Sequence, residues 1–217
     1  MKLTKKKVFV VALAVCLLAI LSAGTLAWFT ATDSVTNNFL IADSDDNGVA
    51  DFSVDVKESD DDGQTWTDDG LTFEEILPGD VHNKLAIVKN TSTGDRYSQY
   101  IRVTIKVVGA PAWQSGVVGA DLKDSLGIDE TIWNITSVTY DSTSETNTLV
   151  MYLKDVLDKD EEATIFETVT IPGKFVNDAN SSYNLTDFDI EIKAEAIQSE
   201  NLGLANPSAV EAFKLID

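Results

Sequence analysis

The stretch "YIRVTIKVV", residues 100–108, decides the fold class, because apolar and polar side chains alternate along almost all of it. In an extended chain, alternate side chains point to opposite faces, so the apolar set shares one face. The apolar positions are Ile101, Val103, Ile105 and Val107. A period of two over this length predicts a β-strand with one buried face.

The same alternation recurs along the rest of the chain. The stretch "DFDIEIKAEAIQ", residues 187–198, alternates throughout, and five further stretches alternate less strictly. These five are residues 52–57, 84–90, 133–140, 148–156 and 163–171. Turn-forming segments such as "SDDDG", "LPGD", "STGD" and "IPG" separate many of them. The pattern predicts an all-β protein, an antiparallel β-sandwich of the jelly-roll type.

Two short segments carry helix signals instead. One is "ADLKDSLG", residues 120–127, and the other is "NPSAVEAFKLI", residues 206–216. In the second, Asn206 can cap a helix and Pro207 can open it. We therefore expect short helical insertions in the sandwich.

Residues 1–27 have the pattern of a signal peptide. Four lysines precede an uncharged apolar run of 14 residues, and small residues follow the run. The run is shorter than the roughly 20 residues that a membrane-spanning helix needs. We predict cleavage between Ala27 and Trp28, which leaves no membrane anchor. The alternative is an uncleaved anchor, since no charge occurs from Val8 to Phe29.

The predicted mature chain is strongly acidic and has no cysteine, because Cys16 lies in the leader. It keeps 12 basic and 36 acidic residues, a net charge of about −24. Nucleic acids and anionic membranes would repel such a chain, so neither is an expected partner. Disulfide bonds are excluded, and the stability must come from burial.

Residues 28–41 form a further strand pattern directly after the predicted cleavage site. Their apolar positions of one parity are Phe29, Ala31, Val35, Phe39 and Ile41. An extended segment at a free chain end can pair with its own sheet or with an edge strand of another molecule. Residues 42–217 are then expected to form one sandwich domain.

Two stretches resemble the TasA/camelysin (CalY) family of secreted proteins. The first runs from Lys5 to Phe39 and contains lysines, the apolar run and "GTLAWFTATDSVTNNF", residues 24–39. The second is "ILPGDVHNKLAIVKNTST", residues 76–93. The resemblance implies that a SipW-type signal peptidase removes the leader and that the protein is extracellular, in the matrix or on the cell surface. It also implies a structural subunit of biofilm-matrix fibres, or an accessory to one, whose N-terminal strand is lent to a neighbouring copy or a homologous subunit. The strand could equally stay in its own sheet.

A candidate calcium loop lies in "DSDDNGVAD", residues 43–51. Oxygen-bearing residues occupy alternating positions, and Gly48 permits the sharp turn that such a loop makes. The candidate ligands are Asp43, Asp45, Asn47 and Asp51. The twelfth position is Val54 where a bidentate glutamate is expected, so a solvated acidic turn remains the alternative.

The stretch "SDDDGQTW", residues 59–66, matches the Asp-box pattern. One copy predicts a hairpin turn in which Asp61 accepts backbone hydrogen bonds and Trp66 anchors the returning strand. In "LPGD", residues 77–80, Pro78 and Gly79 predict the middle of a type II turn that holds strand register.

Residues suited to catalysis are sparse. The one histidine, His82, has no partner for the H-E-x-x-H pattern of zinc peptidases and no context for a serine triad. We therefore expect a structural protein and no enzyme. Two alternatives stay open: a camelysin-like cell-surface metallopeptidase, and a monomeric calcium-dependent adhesion module.

Overall fold

The computed structural model describes residues 30–34, by their backbone only, and residues 52–93, 97–110, 113, 121–176, 178 and 180–217. These residues form eight strands and two short helices. The strands are β1 (Thr30–Ser34), β2 (Val54–Ser59), β3 (Val81–Asn90), β4 (Gln99–Val108), β5 (Trp133–Asp141), β6 (Thr146–Leu153), β7 (Glu162–Thr170) and β8 (Asp189–Gln198). The helices are α1 (Leu122–Ser125) and α2 (Ala209–Phe213). The prediction of an all-β protein with short helical insertions is confirmed, and each of the seven alternating stretches contributes a strand.

The strands form two antiparallel sheets. The five-stranded sheet has the order β1-β8-β4-β6-β5, and the three-stranded sheet has the order β2-β3-β7. Strands that are distant in sequence are therefore neighbours, as β4 and β8 show. The jelly-roll assignment stays a prediction.

One hydrophobic core lies between the two sheets. The four residues that alternation placed on one face of β4 are all fully buried. From the other sheet, Val54, Val56, Ala86 and Val88 pack into the same core. Burial of each of these valine and isoleucine side chains stabilises the fold by roughly 1.5–3 kcal/mol.

Helix α2 covers part of the outer face of the five-stranded sheet. Phe213 packs there against Tyr152, with ring centroids 5.7 Å apart, and the Arg102 guanidinium lies 4.6 Å from the Phe213 ring centroid. The Tyr100 hydroxyl donates a hydrogen bond of 2.7 Å to the Pro207 carbonyl. A second, smaller hydrophobic cluster therefore ties the C-terminal segment to β4, β6 and β8.

The cap of α2 differs from the prediction. Ser208 is the N-cap, because its hydroxyl accepts from the Glu211 backbone N–H while the Glu211 carboxylate accepts from the Ser208 backbone N–H. This reciprocal capping box satisfies two backbone donors at the start of the helix. Asn206 instead has a φ of +50° and lies in the preceding turn. The predicted Asn206 cap was wrong by two positions.

The turn at residues 77–80 is confirmed. The Asp80 backbone N–H donates to the Leu77 carbonyl at 3.1 Å, and Gly79 has a φ of +95°. A positive φ at the third position defines a type II turn and favours glycine. Gly79 and Asp80 also exchange backbone hydrogen bonds with Ile171, which holds this turn against the end of β7.

Candidate functional site: an acidic cleft and a terminal edge strand

A cleft of about 370 Å³ lies where β2 and β7 end and where β3 and β8 begin. Both sheets contribute to its walls, together with residues 69–76, which follow the Asp-box hairpin. Its main apolar lining is Leu71, Phe73, Ile76, Val169, Ile171 and Phe188. The volume falls within the roughly 300–1,000 Å³ that is typical of small-molecule sites.

A buried ion pair between Glu58 and Lys84 lines this cleft. Glu58 is 1% exposed and Lys84 is 4% exposed. Glu58 continues the inward-facing parity of Val54 and Val56 on β2, where the pattern would otherwise place an aliphatic residue. Two adjacent strands thus turn opposite charges inward at the same end of the core.

The ion pair leaves part of the Glu58 carboxylate unsatisfied. The Lys84 ammonium contacts Oε2, whereas Oε1 accepts no hydrogen bond from any residue that the structure describes. Burial lowers the pKa of Lys84, and the neighbouring Glu58 charge opposes that shift without cancelling it. An unsatisfied buried acceptor costs about 1–3 kcal/mol, so the carboxylate is suited to a further donor.

His82, on β3, also lines the cleft and carries a second unsatisfied atom. Its Nε2 is buried and has no hydrogen-bond partner within the described ranges, and Asp80 Oδ2 lies 3.9 Å away. The imidazole packs against Phe73, with ring centroids 5.2 Å apart and an interplanar angle of 52°. The aromatic contact holds the ring, and Nε2 stays available as an acceptor in the tautomer that is protonated on Nδ1.

Three further acidic residues are among those that line the cleft. They are Asp69, Asp189 and Glu191. The Glu58–Lys84 pair is neutral as a unit, so the acidic residues of the lining outnumber its one lysine by three. The cleft is therefore electrostatically suited to cations.

The Asp-box hairpin returns the chain from β2 to the cleft wall. Asp61 Oδ1 accepts from the Thr65 backbone N–H at 2.8 Å, and Asp61 Oδ2 accepts from the Thr65 hydroxyl at 2.7 Å. Ser59 donates its hydroxyl hydrogen to Asp61 at 2.7 Å. The predicted role of Asp61 is confirmed. Trp66 lies over Gly63 and remains 39% exposed, so its ring covers the turn instead of entering the core.

Replacing Asp61 by asparagine should lower stability at neutral pH and have a smaller effect in acid. Hydrogen bonds from the Thr65 backbone, the Thr65 hydroxyl and Ser59 lower the pKa of Asp61 to about 2. A lowered pKa stabilises the folded state above the unfolded value of about 3.9, and this stabilisation is lost as the pH falls towards 2.

The measurement is the urea unfolding midpoint of both proteins between about pH 7 and pH 2. The difference between them should shrink below about pH 4. The exposed Asp60 provides the control, since Asp60→Asn removes a carboxylate that stands outside this network. A constant difference across the pH range would contradict the assignment.

The second feature is the terminal strand β1, at the edge of the five-stranded sheet. It pairs antiparallel with β8, from Thr30 opposite Ile197 to Ser34 opposite Lys193. β1 also contacts β2 of the other sheet, so it lies along one side of the sandwich. Strand β8 serves both features, because its residues 189–191 line the cleft and its residues 193–197 pair with β1.

Most residues of the predicted sites lie outside the described part of the chain. Of the predicted assembly strand, the structure describes Ala31, which is opposite Ala196. Those outside are the cleavage residues Ala27 and Trp28, the strand residues Phe29, Val35, Phe39 and Ile41, and the candidate calcium ligands Asp43, Asp45, Asn47 and Asp51. Calcium binding stays a prediction.

Two kinds of site are absent from the described residues. No three or more histidine, cysteine, aspartate or glutamate side chains in that part of the chain are grouped as metal ligands. No helix in the same residues combines the length and the apolar character that crossing a membrane requires.

The cleft was missed by sequence reasoning, although a signal for it exists. The alternate positions Val54 and Val56 of β2 are apolar, and the next position of that series is Glu58. On β3, Ala86 and Val88 are apolar, and the preceding position of their series is Lys84. A charge at an inward-facing position is costly without a partner. The two charges of opposite sign therefore pointed to a buried pair.

Comparisons with known proteins assign no family: no protein-family model, curated protein or solved structure matches the chain significantly. The resemblance to TasA and camelysin thus rests on the stretches quoted above.

Proposed function

We propose that the protein is a secreted structural subunit of extracellular fibres, or an accessory to one, that assembles by exchange of its N-terminal strand. The single observation that carries the proposal is the position of β1, a five-residue strand at a sheet edge near the chain start. A strand held by backbone pairing can be replaced by the same strand of another copy, because the hydrogen bonds are identical.

The surroundings of β1 support this exchange. Ala194 and Ala196, which are opposite Asp33 and Ala31, are fully buried. A copy whose own β1 had moved away would expose this stretch of β8 and its unpaired backbone groups, and a neighbour's β1 would cover them again. Such a transfer is head to tail, so it builds an open filament when the rotation between successive copies does not close a ring.

Protein beginning at Trp28 should form filaments, and protein lacking residues 28–41 should stay monomeric. The deletion removes the donor strand and leaves the remaining sandwich strands in place. Sedimentation velocity and electron microscopy of the two proteins, in about 0.15 M salt to screen their acidic surfaces, measure the difference.

Proline substitution provides a sharper variant of the same test. Thr32→Pro with Asp33→Pro changes two adjacent residues of β1, so it removes backbone donors from the strand. The matched control Thr32→Ser keeps every backbone donor. Filaments from the truncated or the proline protein would contradict strand exchange, as would a Trp28-start protein that stays monomeric at every concentration.

A further inference from the structure

We infer that the cleft at Glu58 binds an organic cation, an ammonium group on an apolar stem. The inference is independent of fibre assembly, because the cleft-lining residues of β8, 189–191, precede the stretch that pairs with β1. It rests on two unsatisfied acceptors, the charge of the lining and the apolar walls.

The two unsatisfied acceptors set the chemistry of the ligand. Glu58 is 1% exposed, its Oε1 has no donor among the described residues, and it lines the cleft. His82 Nε2 is a second buried atom that has no hydrogen-bond partner among the described residues. An ammonium group has three donors and no acceptor, so it suits unsatisfied acceptors of this kind.

The charge of the lining sets the sign of the ligand. Lys84 neutralises the Glu58 carboxylate, and the acidic residues Asp69, Asp189 and Glu191 remain in the lining. An anion would meet these charges and would have to displace Glu58 from Lys84. A cation gains attraction from each of them, and a hydrogen bond to a charged group is stronger than a neutral one.

The apolar walls favour an organic cation over a hydrated metal ion. Phe73, Ile76 and Phe188 line the same cleft as the acidic residues, and burying an alkyl or aryl stem against these apolar side chains releases water. A cavity of about 370 Å³ accommodates a small amine.

His82 offers a direct readout, because it is the one histidine of the chain. Hexylammonium titrated into the full chain at pH 7, without an affinity tag, should shift the His82 imidazole proton resonances with saturation. Hexanol and hexanoate have the same stem without the cation, and should produce no saturable shift. Calcium chloride provides the metal-ion arm, and should leave the resonances in place.

Substitutions test the acceptors. Glu58→Met with Lys84→Met removes both charges while filling similar volume, and should weaken hexylammonium binding at least about tenfold by calorimetry. Glu191→Gln should weaken it less, without perturbing the buried pair. Asp155→Asn removes an exposed charge outside the cleft, and should have no effect.

The outcomes are distinguishable. Equal hexylammonium affinity in the wild type and the double methionine variant, tighter binding of hexanoate, or no saturable binding up to roughly 10 mM would overturn the inference. Nα-acetyl-lysine amide, titrated in parallel, separates two sources of the same group. Tighter binding of hexylammonium assigns a free amine, and tighter binding of the lysine derivative assigns a lysine side chain of a partner.

Discussion

Replacing Lys84 alone by methionine should destabilise the protein by about 3–5 kcal/mol, because it leaves the Glu58 carboxylate buried without its counter-charge. Replacing Glu58 alone should have a similar cost, since a buried ammonium would remain. The double methionine variant should cost less than either single change, because well-packed apolar side chains often replace a buried ion pair with little loss.

Urea unfolding followed by tryptophan fluorescence measures the four proteins of this cycle, and the chain has four tryptophans to report it. The summed losses of unfolding free energy in the two single variants should exceed the loss in the double variant. The difference is the coupling energy of the pair, and it should be large. Lys57→Met provides the matched control, since Lys57 lies on the same strand as Glu58 and its side chain is 35% exposed. Additive single costs would show that the pair does not act as a unit.

Replacing Phe213 by alanine should destabilise the protein by about 3–5 kcal/mol and release the C-terminal segment from the sheet. Phe213 is fully buried and packs against Tyr152 and the Arg102 guanidinium. Arg102 also forms ion pairs with Glu195, at 2.9 Å, and with Asp217, at 2.8 Å. Loss of the ring therefore removes the central contact of the small outer cluster.

Unfolding by urea and the rate of limited proteolysis after residue 200 measure this effect. Leu215→Ala is the control on the same segment, since Leu215 is 36% exposed and its loss should change stability by less than about 0.5 kcal/mol. An equal effect of the two substitutions would contradict the anchoring role of Phe213.

Two different parts of strand β8 contribute to the cleft and to the pairing with β1. Substitutions at its residues 193–197 affect the pairing with β1, and those at residues 189–191 affect the cleft. A change in assembly and a change in amine binding can therefore be produced separately, although one strand carries both surfaces.

The alternation of apolar and polar residues was sufficient to predict the strands. In β4, Ile101 and Val103 face the core and Lys106 faces solvent, as their spacing required. This success has a physical reason: a one-residue shift would move every apolar side chain of the strand to the other face, so burial imposes the parity on the sequence. The Asp-box and Pro-Gly turns were also readable, because their hydrogen bonds are local.

The cap of α2 shows where local reading failed. Asn206, Pro207 and Ser208 all suit a helix start, and propensity alone does not rank them. Ser208 is the cap because Glu211 stands three residues later and completes the reciprocal pair. The spacing of Ser208 and Glu211 is visible in the sequence, but Asn206 and Pro207 come before it and also suit a helix start.

The sequence by itself determined the strands, their buried faces and the local turns, because each of these depends on residues that are close along the chain. Tertiary structure alone decided which strands pair, that β1 lies beside β8, and that Glu58, His82 and Asp189 line one cleft. Pairing between distant strands depends on how two whole sheets pack, and many strand orders satisfy the same alternation. The residues that line the cleft are therefore brought together only by the fold, which places the ends of β2 and β7 beside the starts of β3 and β8.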